Sequence, residues 1–187
     1  MTTSDNEAVR AAWDRIAAGY DQSNTERHMW LANQGLRRLE LSRGMRFLDV
    51  AAGSGAVSIP AARLGADVLS TDLSPAMLER LRTRASKEGL KVETRVMDGH
   101  SLELEDESFD RAGSQFGVML FPDMPRGIAE LVRVTKTGGR VLMTVYGAPQ
   151  KIEFFGFLVG AIQTVVPEFT GPPMDCLLYT SPSPRDS

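Results

Sequence analysis

The chain has 187 residues, enough to bury one sizeable core without disulfides or metals and too few for a second full domain. Apolar residues make up 42% and charged residues 24%, a balance that argues against a disordered or membrane-embedded chain and names no function by itself. The formal charge of -3 leaves no basic footprint for a phosphate backbone, so nucleic acid is not an expected partner.

Met1 to Arg10 is polar and lacks the basic, apolar and small-residue succession of a secretory signal, which predicts a cytoplasmic protein. Trp13, Ile16, Ala17 and Tyr20 recur at helical spacing and predict an amphipathic helix ahead of the main domain. Gly44 punctuates the approach to a first strand, Arg46 to Val50, which runs into the glycine-rich turn AAGSG and a helix over Ala56 to Leu64. Asp67 to Thr71 predicts a second strand ending at Asp72. Ser74 and Pro75 then supply a cap and a first-turn proline for a helix whose apolar face is Met77, Leu78, Leu81 and Ala85. Lys91 to Met97 alternates as a third strand ending at Asp98, and Phe109 to Gln115 predicts a fourth. A helix over Pro125 to Val134 leads through Lys136, Gly138 and Gly139 to a fifth strand, Arg140 to Tyr146.

Strands that alternate with helix-sized connections imply a parallel sheet covered on both faces, because a parallel crossover needs such a connection. The apolar run Phe154 to Val166 is too short for a membrane span and predicts a buried or lid helix. The sole cysteine, Cys176, has no internal partner for a disulfide and no neighbouring thiols for a metal site. It opens the segment CLLYTSPSPRD, which resembles the in-frame translation of a transposase-type sequencing adapter; the alternative is a natural Pro- and Ser-rich tail.

In open sheets of this kind ligands bind beyond the carboxyl ends of the strands, at the topological switch point. The turn Asp49 to Gly55 lies there, with two positions lacking a Cβ so that backbone can approach a ligand, although a purely structural turn would look the same. Asp72, roughly 20 residues on, can accept from both hydroxyls of a ribose, or can serve as a local cap. Asp98 repeats the pattern and could accept from an exocyclic amine, or simply end a strand before Gly99. A nucleoside-containing cofactor follows. Gly53, Ser54, Gly55, Ala56, Val57 and Ser58 put serine where a nicotinamide-dinucleotide turn places its third glycine, which disfavours an NAD-dependent oxidoreductase.

FLDVAAGSG, the acidic residue of STDLSPAML, MDGHSLEL, FDRAGSQFG and LVRVTKTGGRVLMTVYG together resemble the ordered motifs of class I S-adenosylmethionine-dependent methyltransferases, notably the ubiquinone and menaquinone biosynthesis type. The resemblance spans Trp13 to Tyr146. It departs from the family at Ala51, where glycine is common, and at Thr137, where proline usually precedes the glycine pair. It implies a Rossmann-like, three-layer doubly wound sheet of strand order 3-2-1-4-5, here lacking the family's final antiparallel hairpin. The implied organisation is a helical cap over 1–43, a cofactor-binding domain over 44–147, the start of a substrate lid over 148–175 and an adapter-derived tail over 176–187.

The implied cofactor is S-adenosylmethionine. Ala51, Gly53, Ser54 and Gly55 would line its methionine moiety, and Asp49 would hold the amino group. Asp72 would bind the ribose, with Leu73 and Met77 against the adenine, although Met77 also suits plain core packing. Asp98 and Gly99 would read the adenine edge with His100 beside them, and Gln115 would sit near the reacting end. Trp13 and Tyr20 resemble a helix that covers the cofactor. The implied partner is a small-molecule methyl acceptor, methylated by in-line displacement, with no metal and no designated catalytic base. A non-catalytic regulatory module that binds the same nucleoside is the alternative.

Overall fold

The computed structural model describes residues 3–147 and 160–168. The adapter-like tail and residues 154–159 of the apolar run lie outside them. The chain divides into two compact units, Met1–Thr144 and Val145–Ser187. Within the second, residues 160–163 are helical. Among the described residues no helix is long and apolar enough to cross a membrane.

The first unit carries five parallel strands, β1 (Arg46–Val50), β2 (Asp67–Asp72), β3 (Glu93–Val96), β4 (Phe109–Gln115) and β5 (Thr135–Thr144), in the order β3-β2-β1-β4-β5. This is the order expected from the sequence. The chain winds outward from β1 through β2 to β3, then returns to lay β4 against the other side of β1, so the switch point falls between β1 and β4. Registers are set by pairs such as Phe47 with Val68, Asp49 with Ser70 and Asp49 with Gly113.

Alternation along β1 sends Phe47 to one face and Leu48 and Val50 to the other. Phe47 packs in a cluster with Ala32, Leu36, Val57, Ala61 and Val68, which binds helices α1 (Thr3–Arg38) and α2 (Ser58–Arg63) to that face. Helix α3 (Pro75–Lys87) joins them through Leu78, Leu81 and Ala85, the last packed with Ile59 of α2 and Met29 of α1. Leu48, Val50, Phe109, Ala112, Leu131 and Val134 form the opposite cluster under α4 (Met124–Val134). Three layers result.

Three elements differ from the sequence expectation. The N-terminal helix is continuous for 36 residues, and its buried stripe is Ala17, Thr25, Met29, Ala32 and Leu36, whereas Ile16 is 49% exposed. The stripe mixes small and polar residues with Met29 and Leu36 where the helix packs on α2, α3 and the sheet, and its first half, with Ala17 and Thr25, lacks the large apolar residues that would mark it. β3 is shorter than Lys91 to Met97 and sits at the sheet edge, where only one side offers pairing partners. β5 starts at Thr135, directly after α4, because Thr135 pairs with Phe109 before a register shift that resumes at Arg140 opposite Arg111. Gly138, at φ +77, absorbs the irregularity, so the Gly pair lies inside the strand.

Candidate functional site

A cavity of about 870 Å³, counting its open mouth, lies beyond the carboxyl ends of β1 to β4. Ala51, Gly53, Asp72, Leu73, Met77, Asp98, Gly99, His100 and Gln115 line it, together with Trp13 and Tyr20 of α1. Asp49, Ser54 and Gly55 are not among its lining residues.

The turn after β1 is built for close approach. Ala51 (φ +55), Gly53 (φ +54) and Gly55 (φ +96) all take left-handed backbone, which costs a residue with a Cβ and is free for glycine. A Cβ at Gly53 would project into open space, whereas one at Gly55 would meet Leu81 Cγ at 2.9 Å and Ile59 Cγ1 at 3.1 Å. Gly55 therefore faces the α2–α3 packing. Ser54 is also turned inward, its hydroxyl 2.5 Å from that of the buried Thr25 on α1. After β4, Phe116 is left-handed as well (φ +59), and Gly117 approaches so near that a Cβ there would lie 2.4 Å from Ala51 Cβ. Two left-handed residues with side chains, Ala51 and Phe116, thus follow directly on the two strands that flank the switch point, the kind of backbone that persists where surrounding structure overdetermines it.

Asp72 is held by two backbone donors. Gly53 N–H donates to Oδ2 and Ser74 N–H to Oδ1, both at 2.8 Å, so the carboxylate ties the glycine turn to the start of α3. Burial pushes its pKa upward, the backbone donors from Ser74, Gly53 and Leu73 oppose that shift, and nearby Asp14 adds to it. Asp14 itself accepts from Ser74 Oγ at 2.5 Å and from Ala76 N–H at 3.2 Å, while Ser74 Oγ caps α3 by accepting from Met77 N–H. Met77 is buried at the base of this arrangement and also touches the cavity.

Asp98 has a different neighbourhood. Its Oδ1 accepts from His100 N–H at 2.9 Å and from the His100 ring Nδ1 at 2.7 Å, and its Oδ2 accepts from Asn6 Nδ2 at 2.7 Å. Burial alone would raise its pKa, but the donors from His100 and Asn6 outweigh that effect and hold it below the usual carboxylate range. The His100 ring lies 4.6 Å from that of Phe121, tilted by 32°. Gly99 must be glycine because the Phe121 ring passes where its Cβ would be, at 2.5 Å. At the other end, Gln115 donates to the carbonyl of His28 at 2.9 Å, and the Trp13 and Tyr20 rings meet edge-on with centroids 5.8 Å apart.

Asp49 lies beneath the turn, 1% exposed, at the end of a hydroxyl relay in which Ser70 donates to Ser58 and Ser58 donates to Asp49 Oδ2 at 2.5 Å. Its Oδ1 is buried without a partner among the described residues. Burial pushes the carboxyl up to about 7 against the hydrogen bonds from Ser58, and the neighbouring Asp72 charge pushes the same way. From about pH 4 to about pH 7 the folded protein holds a proton that the unfolded chain has released, so stability from this group falls as pH rises through that window. Asp49→Asn removes the slope: urea unfolding at pH 4.5 and 7.5 should show the variant gaining roughly 3 kcal/mol on the parent between the two. A constant gap would contradict the assignment.

Several cavity contributors are not among the site residues expected from the sequence. Asn6 and Val9 come from the start of α1, and Phe116 and Phe121 from the loop after β4. Asn6 and Val9 carry no local motif, and only the closing of α1 over the strand ends brings them in.

Known proteins accord with this geometry. A methyltransferase domain family matches residues 48–143. A Mycobacterium tuberculosis protein is 40% identical over 124 residues, covering 66% of this chain and 44% of its own length. The demethylmenaquinone methyltransferase of Clavibacter sepedonicus is 35% identical over 147 residues, 75% of this chain and 59% of that protein. A solved Methanococcus maripaludis structure assigned to the S-adenosylmethionine-dependent methyltransferases superposes with a TM-score of 0.65 over 83% of this chain and 74% of that one; at 20% identity this speaks to the fold alone. The chain spans less than half the length of the mycobacterial relative. With its match over half the sequence the chain belongs to the methyltransferase domain family, and its 3-2-1-4-5 sheet has the Rossmann-like fold of the Methanococcus structure.

Proposed function

We propose that the chain binds S-adenosylmethionine in this cavity and, as part of the whole protein, transfers a methyl group to a small-molecule acceptor. The observation that carries this is the convergence of Asp72, Asp98 and the glycine turn on one concave space at the ends of adjacent strands. The residues fit the group: a half-buried carboxylate to accept from ribose hydroxyls, a second to accept from an amine, and a turn whose Gly53 leaves room at the wall. Asp72 retains acceptor capacity for ribose beyond its two backbone donors, since each carboxylate oxygen can accept more than once. Leu73 and Met77 flank the base, Asp98 and Gly99 read its edge beside His100, and Ala51 and Gly53 lie along the amino-acid portion. Gln115 marks the reacting end. Asp49, Ser54 and Gly55 act from beneath, shaping the turn.

When bound, S-adenosylmethionine supplies an already activated methyl group. The protein's task is then to align the acceptor in line with that methyl and to exclude water, which can lower the barrier by about 7 to 11 kcal/mol. Phe116, Tyr20 and Leu120 add apolar surface to the cavity that Gln115 also lines, which suits a moderately apolar small-molecule acceptor. The Clavibacter relative, named for its action on demethylmenaquinone, supports that class. Segment 148–175 is the start of a lid over the acceptor in this proposal, and the setting is cytoplasmic.

Isothermal titration of the purified chain with S-adenosylmethionine and, separately, with NAD tests the cofactor assignment. Saturable binding of the first and none of the second is expected. Preference for NAD would return the chain to the oxidoreductases.

A further inference from the structure

Helix α1 is fastened to the domain at several points from Asp14 onward: Asp14 to Ser74 and Ala76, Asp21 to Arg84 at 2.7 Å, and the buried Thr25 to Ser54. Ahead of Asp14 the helix reaches the strand ends at Asp98, where Asn6 Nδ2 donates to Oδ2 at 2.7 Å. The other oxygen of Asp98 is engaged by its own loop, through the backbone and ring of His100. Oδ2 is therefore the oxygen left for a visitor, and a residue of α1 is already on it.

The chemistry of that contact is specific. A carboxamide –NH₂ and the exocyclic amine of an aminopurine are both planar, neutral N–H donors, and each satisfies a carboxylate in the same way. A carboxylate oxygen can accept twice, so space decides whether both fit. Asn6 is itself part of the cavity wall at Asp98, and Val9 and Trp13 continue that wall one and two turns along the same helical face.

We propose that Asn6 is an intrachain competitor for the base-reading carboxylate: the first turns of α1 sit on Asp98 and must leave it for an aminopurine to bind. This rests on the S-adenosylmethionine reading above and adds to it a regulatory contact. The helix thereby taxes cofactor affinity. A binding-competent state that has to be released first lowers the apparent affinity by the fraction released, and removing the competitor restores it.

Two measurements on the full chain with S-adenosylhomocysteine as the probe test this. By isothermal titration, Asn6→Ala is expected to bind about five- to tenfold more tightly than the parent, the equivalent of one hydrogen bond no longer broken. By amide hydrogen exchange, residues 3–13 of the parent are expected to exchange faster when the probe is bound, because their contact at Asp98 has been displaced. Unchanged or weaker binding by Asn6→Ala overturns the proposal, as does slower exchange of residues 3–13 on binding, which is the signature of a cover that closes. The exchange result needs no variant and so stands even if Asn6→Ala misfolds. Binding by neither protein would overturn the cofactor reading and this proposal with it, whereas normal parental binding with an indifferent variant overturns this proposal alone.

Discussion

Asp72→Ala should weaken S-adenosylmethionine binding by at least about 100-fold, close to 2.7 kcal/mol, as read by isothermal titration. Hydrogen bonds to a charged acceptor contribute about 1.5 to 3 kcal/mol each, and the substitution removes those proposed to the ribose. It also strands the N–H groups of Gly53 and Ser74, which both donate to this carboxylate at 2.8 Å. The glycine turn and the start of α3 lose their common tie, so the cavity floor is misplaced as well as stripped of an acceptor. Asp72→Asn should recover little. Its amide keeps one acceptor oxygen but turns an NH₂ toward one of two backbone donors. A variant that stays folded by circular dichroism and binds within threefold of the parent would remove Asp72 from the site.

Phe47→Ala should lower the unfolding free energy by about 3 to 5 kcal/mol, the range for emptying a fully buried aromatic position. Phe47 is completely buried on β1, in the cluster that joins α1 and α2 to the sheet, and its ring tip lies 3.3 Å from where a Gly113 Cβ would stand. Collapse around the missing ring is hindered because β1 is central and paired on both sides. Domains are stable by only about 5 to 15 kcal/mol, so the loss is a large share of the total. Ile16→Ala, at a half-exposed position of α1, is the matched control and should change stability by less than about 0.5 kcal/mol. Equal costs at the two positions in urea unfolding would contradict the packing described.

The presence of the strands and the cap at Ser74 were legible in short-range signals, whereas the strand order came from the family resemblance. Strand-like segments ended at Asp72 and, by alternation, at Asp98, and Ser-Pro opened α3 as such pairs do. What remained hidden depends on partners far along the chain. Asn6 meets Asp98 across 92 residues, Gln115 meets His28 across 87, and Asp14 meets Ser74 across 60. No periodicity encodes such pairs. The extent of α1 was obscured for a related reason: Ala17, Thr25 and Ala32 are chosen for close packing, and large apolar Ile16 and Trp30 lie off the buried stripe. Within the glycine turn the sequence could not say which positions face a ligand, since Gly53 and Gly55 share a backbone need while only Gly55 has Leu81 and Ile59 against it. The glycine pair in β5 misled in the same fashion, because a strand irregularity and a loop use the same residues.

The long separations between α1 and the strand ends also order events in time. During synthesis the helix leaves the ribosome first, yet its partner at Gln115 is added 87 residues after His28. At translation speeds of about 5 to 20 residues per second that delay is on the order of ten seconds. Throughout it, the stripe from Ala17 to Leu36 can meet β1 and α2, which follow it closely, but not the end of β4, so the carbonyl of His28 gains its partner late.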